Sequence, residues 1–123
     1  MSLHVLEPYQ TLHALPAGKV LFRESDPADG VYVLHSGEVE LSFSNKPMHV
    51  SRAGEVLALT TVMSNRPHDS SAVTRTACLA GFVDKSVFLR LLDEQPSLWL
   101  TVLQMISENI GQCWQSMRAM AAR

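Results

Sequence analysis

Cysteine is scarce in this 123-residue chain, which carries only Cys78 and Cys113. Two are too few for a disulfide framework, a four-thiolate metal site or a cysteine-ligated iron–sulfur cluster, so reduced thiols in a cytoplasmic protein are expected. A dominant charge is missing too: ten Lys and Arg stand against twelve Asp and Glu, for a formal net charge of -2. That balance supplies no global field to hold nucleic acid. There is no long hydrophobic run. The longest uncharged stretch near the C-terminus, Gln95 to Ser107, contains Gln104 and falls short of the roughly 20 apolar residues of a membrane span. The opening MSLHVLEPYQ lacks the basic and apolar regions of a secretory signal. No membrane partner is expected. Nor is there a G-x-S-x-G elbow, a P-loop or a G-x-G-x-x-G motif, so the chain is not expected to be an enzyme. What is present is a hydrophobic fraction of 46% with a mean hydropathy of +0.06. That excludes disorder and suits one domain spanning 1–123.

Residues 1–15 carry Leu3, Leu6, Leu12 and Leu15, broken by Pro8, and suggest a helical or irregular lead-in. From Pro16 to residue 83 the texture is that of short strands. KVLFRE is followed by the loop Ser25 to Gly30, then by VYVLHSGEVELSF, in which Val31 and Val33, then Val39, Leu41 and Phe43, alternate with other residues. Ser36-Gly37 suggests a hairpin, Asn45-Lys46-Pro47 a further turn, and Ala53-Gly54 another break. Ala72 to Thr74 and Cys78 to Val83 would complete an antiparallel sandwich or barrel. From Asp84 the period becomes helical. Asp84 is a candidate N-cap over residues 84–95, where Val87, Phe88, Leu91 and Leu92 form an apolar stripe. Pro96 ends that helix and opens another, over 96–121. In this last helix Trp99, Leu103, Ile106, Ile110, Cys113, Met117 and Met120 alternate at spacings of four and three. This is a heptad seam, and it predicts a homodimer through the C-terminal helix.

The segments LPAGKVLFRESDPADGVYVLHSGEVELSF and RAGEVLALTTVMSNRPHDSSAVTRTACLAGFVDKSVFLRLLDEQP together resemble the effector domain of Crp/Fnr regulators and other cyclic-nucleotide-binding domains. The marks are Pro16-x-Gly18, Phe22-Arg23-Glu24 before Asp26-Pro27, Tyr32 before Ser36-Gly37, Gly54, Arg66-Pro67, and Phe88 with Leu91-Leu92. The resemblance implies a mainly β fold with flanking helices, a double-stranded β-helix (jelly roll), and a long C-terminal dimerisation helix. It also implies a cassette in which a short helix N-terminus and an Arg hold a cyclic phosphate while a Glu takes the ribose hydroxyl. Matching Gly54, Arg66-Pro67 and Thr76-Ala77-Cys78 to that pattern puts Ala58 at the cassette glycine, Leu59 at the glutamate and His68 at the arginine. Asp69, Ser70 and Ser71 follow, and Thr60 and Thr61 add hydroxyls. Cys113 and Trp114 fall where the long helix would offer hydroxyls to adenine. Leu59 accepts no hydrogen bond, and a neutral His68 lacks the fork of arginine. Asp69 brings negative charge but would favour the protonated form of His68.

The expected function is therefore a non-enzymatic sensor of Crp/Fnr type, the effector half of a transcription regulator, that does not take cAMP in the usual way. Its effector would be another small molecule or none, and it would reach DNA only through a domain absent from this chain. The alternative is a ligand-free dimerisation module. No cofactor is required by the motif, although haem held by His4, His13, His68 or Met63 is chemically open. A cupin-like metal centre needs an H-x-H pair and a distant third His on one strand face. His35, His49 and His68 sit one to a segment, as rim or surface histidines, so no metal is expected.

Overall fold

The computed structural model describes residues 4–105. A 3₁₀ helix, His4–Tyr9, precedes eight strands: β1 (Thr11–Leu15), β2 (Val20–Phe22), β3 (Gly30–Ser36), β4 (Val39–Phe43), β5 (Lys46–Ser51), β6 (Val56–Leu57), β7 (Ser71–Thr74) and β8 (Cys78–Asp84). Helix α1 (Leu59–Met63) lies between β6 and β7, and α2 (Lys85–Glu94) follows β8. A third helix, α3, starts at residue 96 and is described to residue 105. The strands form two antiparallel four-stranded sheets, ordered β1-β8-β3-β6 and β2-β7-β4-β5. This is the expected mainly β roll with flanking helices.

Two apolar clusters hold these layers, and β3 shows why. Val31 and Val33 point to the helix side, where they meet Val83, Phe88, Leu91 and Val102. Leu34, one pleat away, points between the sheets to Phe22, Val39, Ala72 and Ala80. The first sheet is thus covered on both faces, so its central strand carries apolar residues at consecutive positions instead of strict alternation. On α2, Phe88, Leu91 and Leu92 are buried as the stripe predicts. Asp84 caps the helix: the Ser86 N–H donates to its carboxylate at 3.0 Å. On α3, Leu98, Thr101 and Val102 turn inward, while Trp99, Leu100 and Leu103 stay 38%, 62% and 51% exposed. The rest of the heptad seam, Ile106, Ile110, Cys113, Met117 and Met120, lies outside the described residues.

Three expectations need correction. Residues 11–15 are not lead-in but strand β1, paired along its length with β8 from Thr11↔Phe82 to Leu15↔Cys78. It is an edge strand whose residues stay largely exposed, so its burial lacks the alternation of a half-buried strand. Ser36-Gly37 is not a hairpin turn. It carries the chain from the first sheet to the second, since β3 pairs with β6 and β8 while β4 pairs with β5 and β7. Gly37 is needed there: its φ is +88°, and a Cβ would lie 2.4 Å from the Ala77 carbonyl oxygen. The true hairpin joins β4 to β5 through Ser44 and Asn45, both at positive φ, and Pro47 sits inside β5 opposite Ser42 at a register shift.

Candidate functional site

The candidate cassette runs from Gly54 to Ser71. Gly54, at φ +97°, closes the turn after β5 and donates its N–H to the Leu34 carbonyl at 2.8 Å. The Glu55 carboxylate bonds His49 Nε2 at 2.9 Å and also accepts the Arg52 N–H. After β6, Ala58 takes φ +67° and ψ +18° at the N-cap of α1. This is the left-handed conformation for which the resemblance places a glycine, and it strains a residue with a Cβ. Leu59, 2% exposed, packs into the helix-side cluster with Val56 and Val62. Thr61 is equally buried and its hydroxyl donates to the Ala58 carbonyl at 3.2 Å. Thr60 is half-buried, and its carbonyl accepts both the N–H and the hydroxyl of Ser64.

The returning limb is fastened to the β2–β3 loop. The His68 N–H donates to the Asp26 carbonyl at 2.9 Å, and the His68 carbonyl accepts the Ser25 N–H at 2.8 Å. Ser71 Oγ accepts the Glu24 N–H at 3.1 Å. His68 is only 6% exposed, its ring stacked on Phe22 with centroids 3.9 Å apart and planes 10° from parallel. It is therefore not a rim histidine. Burial pushes its pKa below the ordinary value and outweighs the opposing pull of Asp26, Asp69 and Asp29. Asp69 was expected to favour the protonated ring; desolvation of the stacked imidazole reverses that. Asp69 itself is exposed and Ser70 half-buried.

The structure thus brings Ala58, Leu59, Thr60 and Thr61 together at the start of α1, and His68, Asp69, Ser70 and Ser71 on the facing loop. The two limbs are tied to each other, since the Arg66 N–H donates to the Thr61 carbonyl at 3.0 Å. Cys113 and Trp114 lie outside the described residues. Two of the hydroxyls expected to line the cassette, those of Thr61 and Ser71, are spent on backbone partners. The partners of His68 were not anticipated. Phe22 and Asp26 are more than forty residues from it in sequence, and no local pattern announces a stack across that distance. Cys78 is buried in β8, as a small apolar residue. Among the described residues no group of three or more His, Cys, Asp or Glu is placed to hold a metal ion, and no helix is long and apolar enough to cross a membrane.

Comparison with known proteins gives the same architecture. The chain is 30% identical over 101 residues to the cAMP-dependent protein kinase regulatory subunit of Aspergillus niger, covering 73% of this chain and 24% of that protein. It is 30% identical over 109 residues to the neuropathy target esterase sws of Drosophila melanogaster, covering 75% of this chain and 7% of that one. The chain therefore spans a quarter or less of these relatives. Among solved structures, the c-di-GMP responsive global regulator CLP of Xanthomonas campestris superposes with a TM-score of 0.85 at 17% identity, over 98% of this chain and 62% of its own. At that identity the likeness shows the fold alone. The model of the cyclic nucleotide-binding domain matches residues 12–95, a span that takes in the roll, the whole cassette and α2, and the chain belongs to that family.

Proposed function

We propose that this domain is a non-enzymatic regulatory module of Crp/Fnr type, the effector half of a transcription regulator, whose cassette does not hold cAMP or cGMP in the family's manner. One observation carries this: both positions that should present charge to a cyclic nucleotide are withdrawn into the protein. Leu59, at the sugar-binding glutamate, is 2% exposed in an apolar cluster. His68, at the phosphate-binding arginine, is stacked on Phe22 with its pKa lowered by burial. A neutral imidazole in place of a guanidinium loses both the charge and the two-pronged geometry that neutralise a phosphate. The same module pairs with a second copy through α3. The exposed Trp99 and Leu103 support this, because they are the first two positions of the heptad seam, with exposed Leu100 beside them, and an apolar face of this kind is covered in a stable assembly. Altering the angle of the paired helices would then transmit an effector signal. The test of the cassette reading is calorimetry with cAMP and cGMP. The expected result is no saturable heat, and a dissociation constant in the low micromolar range would overturn it.

A further inference from the structure

Three of the four outer edges of the two sheets are closed to further pairing. β6 is two residues long, and β2 is three, with a register shift against β7. β5 carries Lys46 and Pro47 and is shifted against β4. Short edges, lysine, proline and irregular register are the means by which sheets refuse another strand. β1 has none of them. It pairs with β8 over five consecutive residues without a shift, and its sequence TLHAL contains no proline and no Lys, Arg, Asp or Glu. A strand paired on one side points alternate N–H and C=O groups outward. On that outer side β1 makes no hydrogen bond among the described residues.

The side chains along this edge are sorted by face. Register partners share a face, so Leu12 and Ala14 stand on the same side as Leu79 and Gly81, on the face of β8 that carries Val83 of the helix-side cluster. Leu12 is 61% exposed and Leu79 is exposed beside it. The apolar helix-side surface of the first sheet thus continues to its open edge. Thr11 and His13 lie on the opposite face and are exposed as well. Outward backbone groups flanked by apolar side chains on one face and polar ones on the other are what an added β-strand pairs with.

The size of the edge decides between occupants. Five residues span about 17 Å, too small a strip to approach the roughly 1,200 Å² at which stable interfaces between folded proteins begin. A second copy of β1 is also obstructed. With faces matched and all five residues paired, two antiparallel copies must centre on His13, which brings Gln10 of one against Pro16 of the other. There the 3₁₀ helix His4–Tyr9 of one copy runs into the turn at residues 16–18 of the other. An isolated extended segment has neither obstacle.

We propose that β1 is a docking edge, to which an uncharged, extended peptide segment of a partner protein adds as the fifth strand of the first sheet. Its apolar residues, at alternate positions, cover Leu12, Ala14 and Leu79, and its polar residues lie beside Thr11 and His13. Main-chain hydrogen bonds supply the affinity, and the alternation supplies the selectivity. This edge is independent of the cassette, so the inference holds whether or not a cyclic nucleotide binds.

The test uses the full chain and a seven-residue peptide of alternating threonine and valine, N-methylated at its valines so that only one backbone edge can pair. The same peptide N-methylated at every residue is the control. Fluorescence anisotropy should show saturable binding of the first peptide in the upper micromolar range and none of the control. Hydrogen exchange should slow at amides within residues 11–15 when the first peptide is present. Leu12→Lys with Ala14→Lys changes only exposed side chains, so the fold should survive by circular dichroism while peptide affinity falls at least tenfold. Absence of binding, equal binding of the control, or affinity unchanged in the lysine variant overturns the proposal. Concentrated Trp99→Glu, Leu103→Glu protein that dimerises, and ceases to do so when the two lysines are added, would assign the edge to a second copy and overturn it too.

Discussion

Leu59→Glu would place a carboxylate where the resemblance puts the family's ribose-binding glutamate, and its consequence follows from where Leu59 sits. The side chain is 2% exposed among Val56, Val62 and the helix-side cluster. Burial of a leucine contributes about 1.5–3 kcal/mol, and its loss with a residual cavity costs about 2–5 kcal/mol. An unpaired carboxylate adds a desolvation cost of several kcal/mol unless it is protonated or reaches water. The variant should therefore lose at least about 3 kcal/mol, a large part of the 5–15 kcal/mol that holds a domain together. Urea unfolding at pH 7 measures this, with Leu59→Gln separating charge from shape. Sign and pH window follow from burial, which raises the folded pKa of Glu above its unfolded value near 4.3. The charge penalty is then complete at pH 7 and shrinks as pH falls towards that value, so the gap between the Glu and Gln variants should narrow from pH 7 to pH 5. If Leu59→Glu stays within about 1 kcal/mol of the parent at pH 7, the side chain is not committed to the core. The cassette is then still open to a nucleotide, and the argument for a lost sugar site fails.

His68 should leave its own trace in stability. Because burial lowers its folded pKa, its contribution is complete above the unfolded value near 6.5 and is lost as pH falls below it. His68→Phe should flatten the stability profile in that window, and an unchanged profile would show that the ring is already solvated. Trp99→Glu with Leu103→Glu should yield monomers in sedimentation velocity without loss of the roll's circular dichroism, because both residues lie on the exposed side of α3. A variant that remains dimeric would place the seam elsewhere.

Most of the architecture was visible as punctuation and period. The helical stripe of Phe88, Leu91 and Leu92 behind the Asp84 cap is local information, carried within one helix, and it matches the structure. Strand β1 was invisible for a physical reason. An edge strand pairs on one side only and here buries almost nothing, and the alternation of Thr11, Leu12, His13 and Ala14 is too short a run to tell a strand from the lead-in before it. The crossing at Ser36-Gly37 could not be told from a hairpin, because a glycine at positive φ serves both and only the pairing partners differ. The cassette was legible in part. The substitutions at Leu59 and His68 follow from matching the family pattern, but their fate does not. Whether a histidine faces solvent or stacks on Phe22 depends on a contact between segments more than forty residues apart.

That contact also explains why both substitutions can persist together. In a cassette that binds a phosphate, the charged residues must stay at the surface of a pocket and give up burial to do so. Once Leu replaces the carboxylate, nothing opposes its joining Val56 and Val62. The start of α1 then gains apolar contacts on one face, and Thr61 turns its hydroxyl back to Ala58. On the facing limb, His68 gains the face of Phe22 while its backbone is held at both ends by Ser25 and Asp26. Each change commits its limb to a different cluster, Leu59 to the helix side and His68 to the ring row. Packing thus holds the cassette backbone at both limbs.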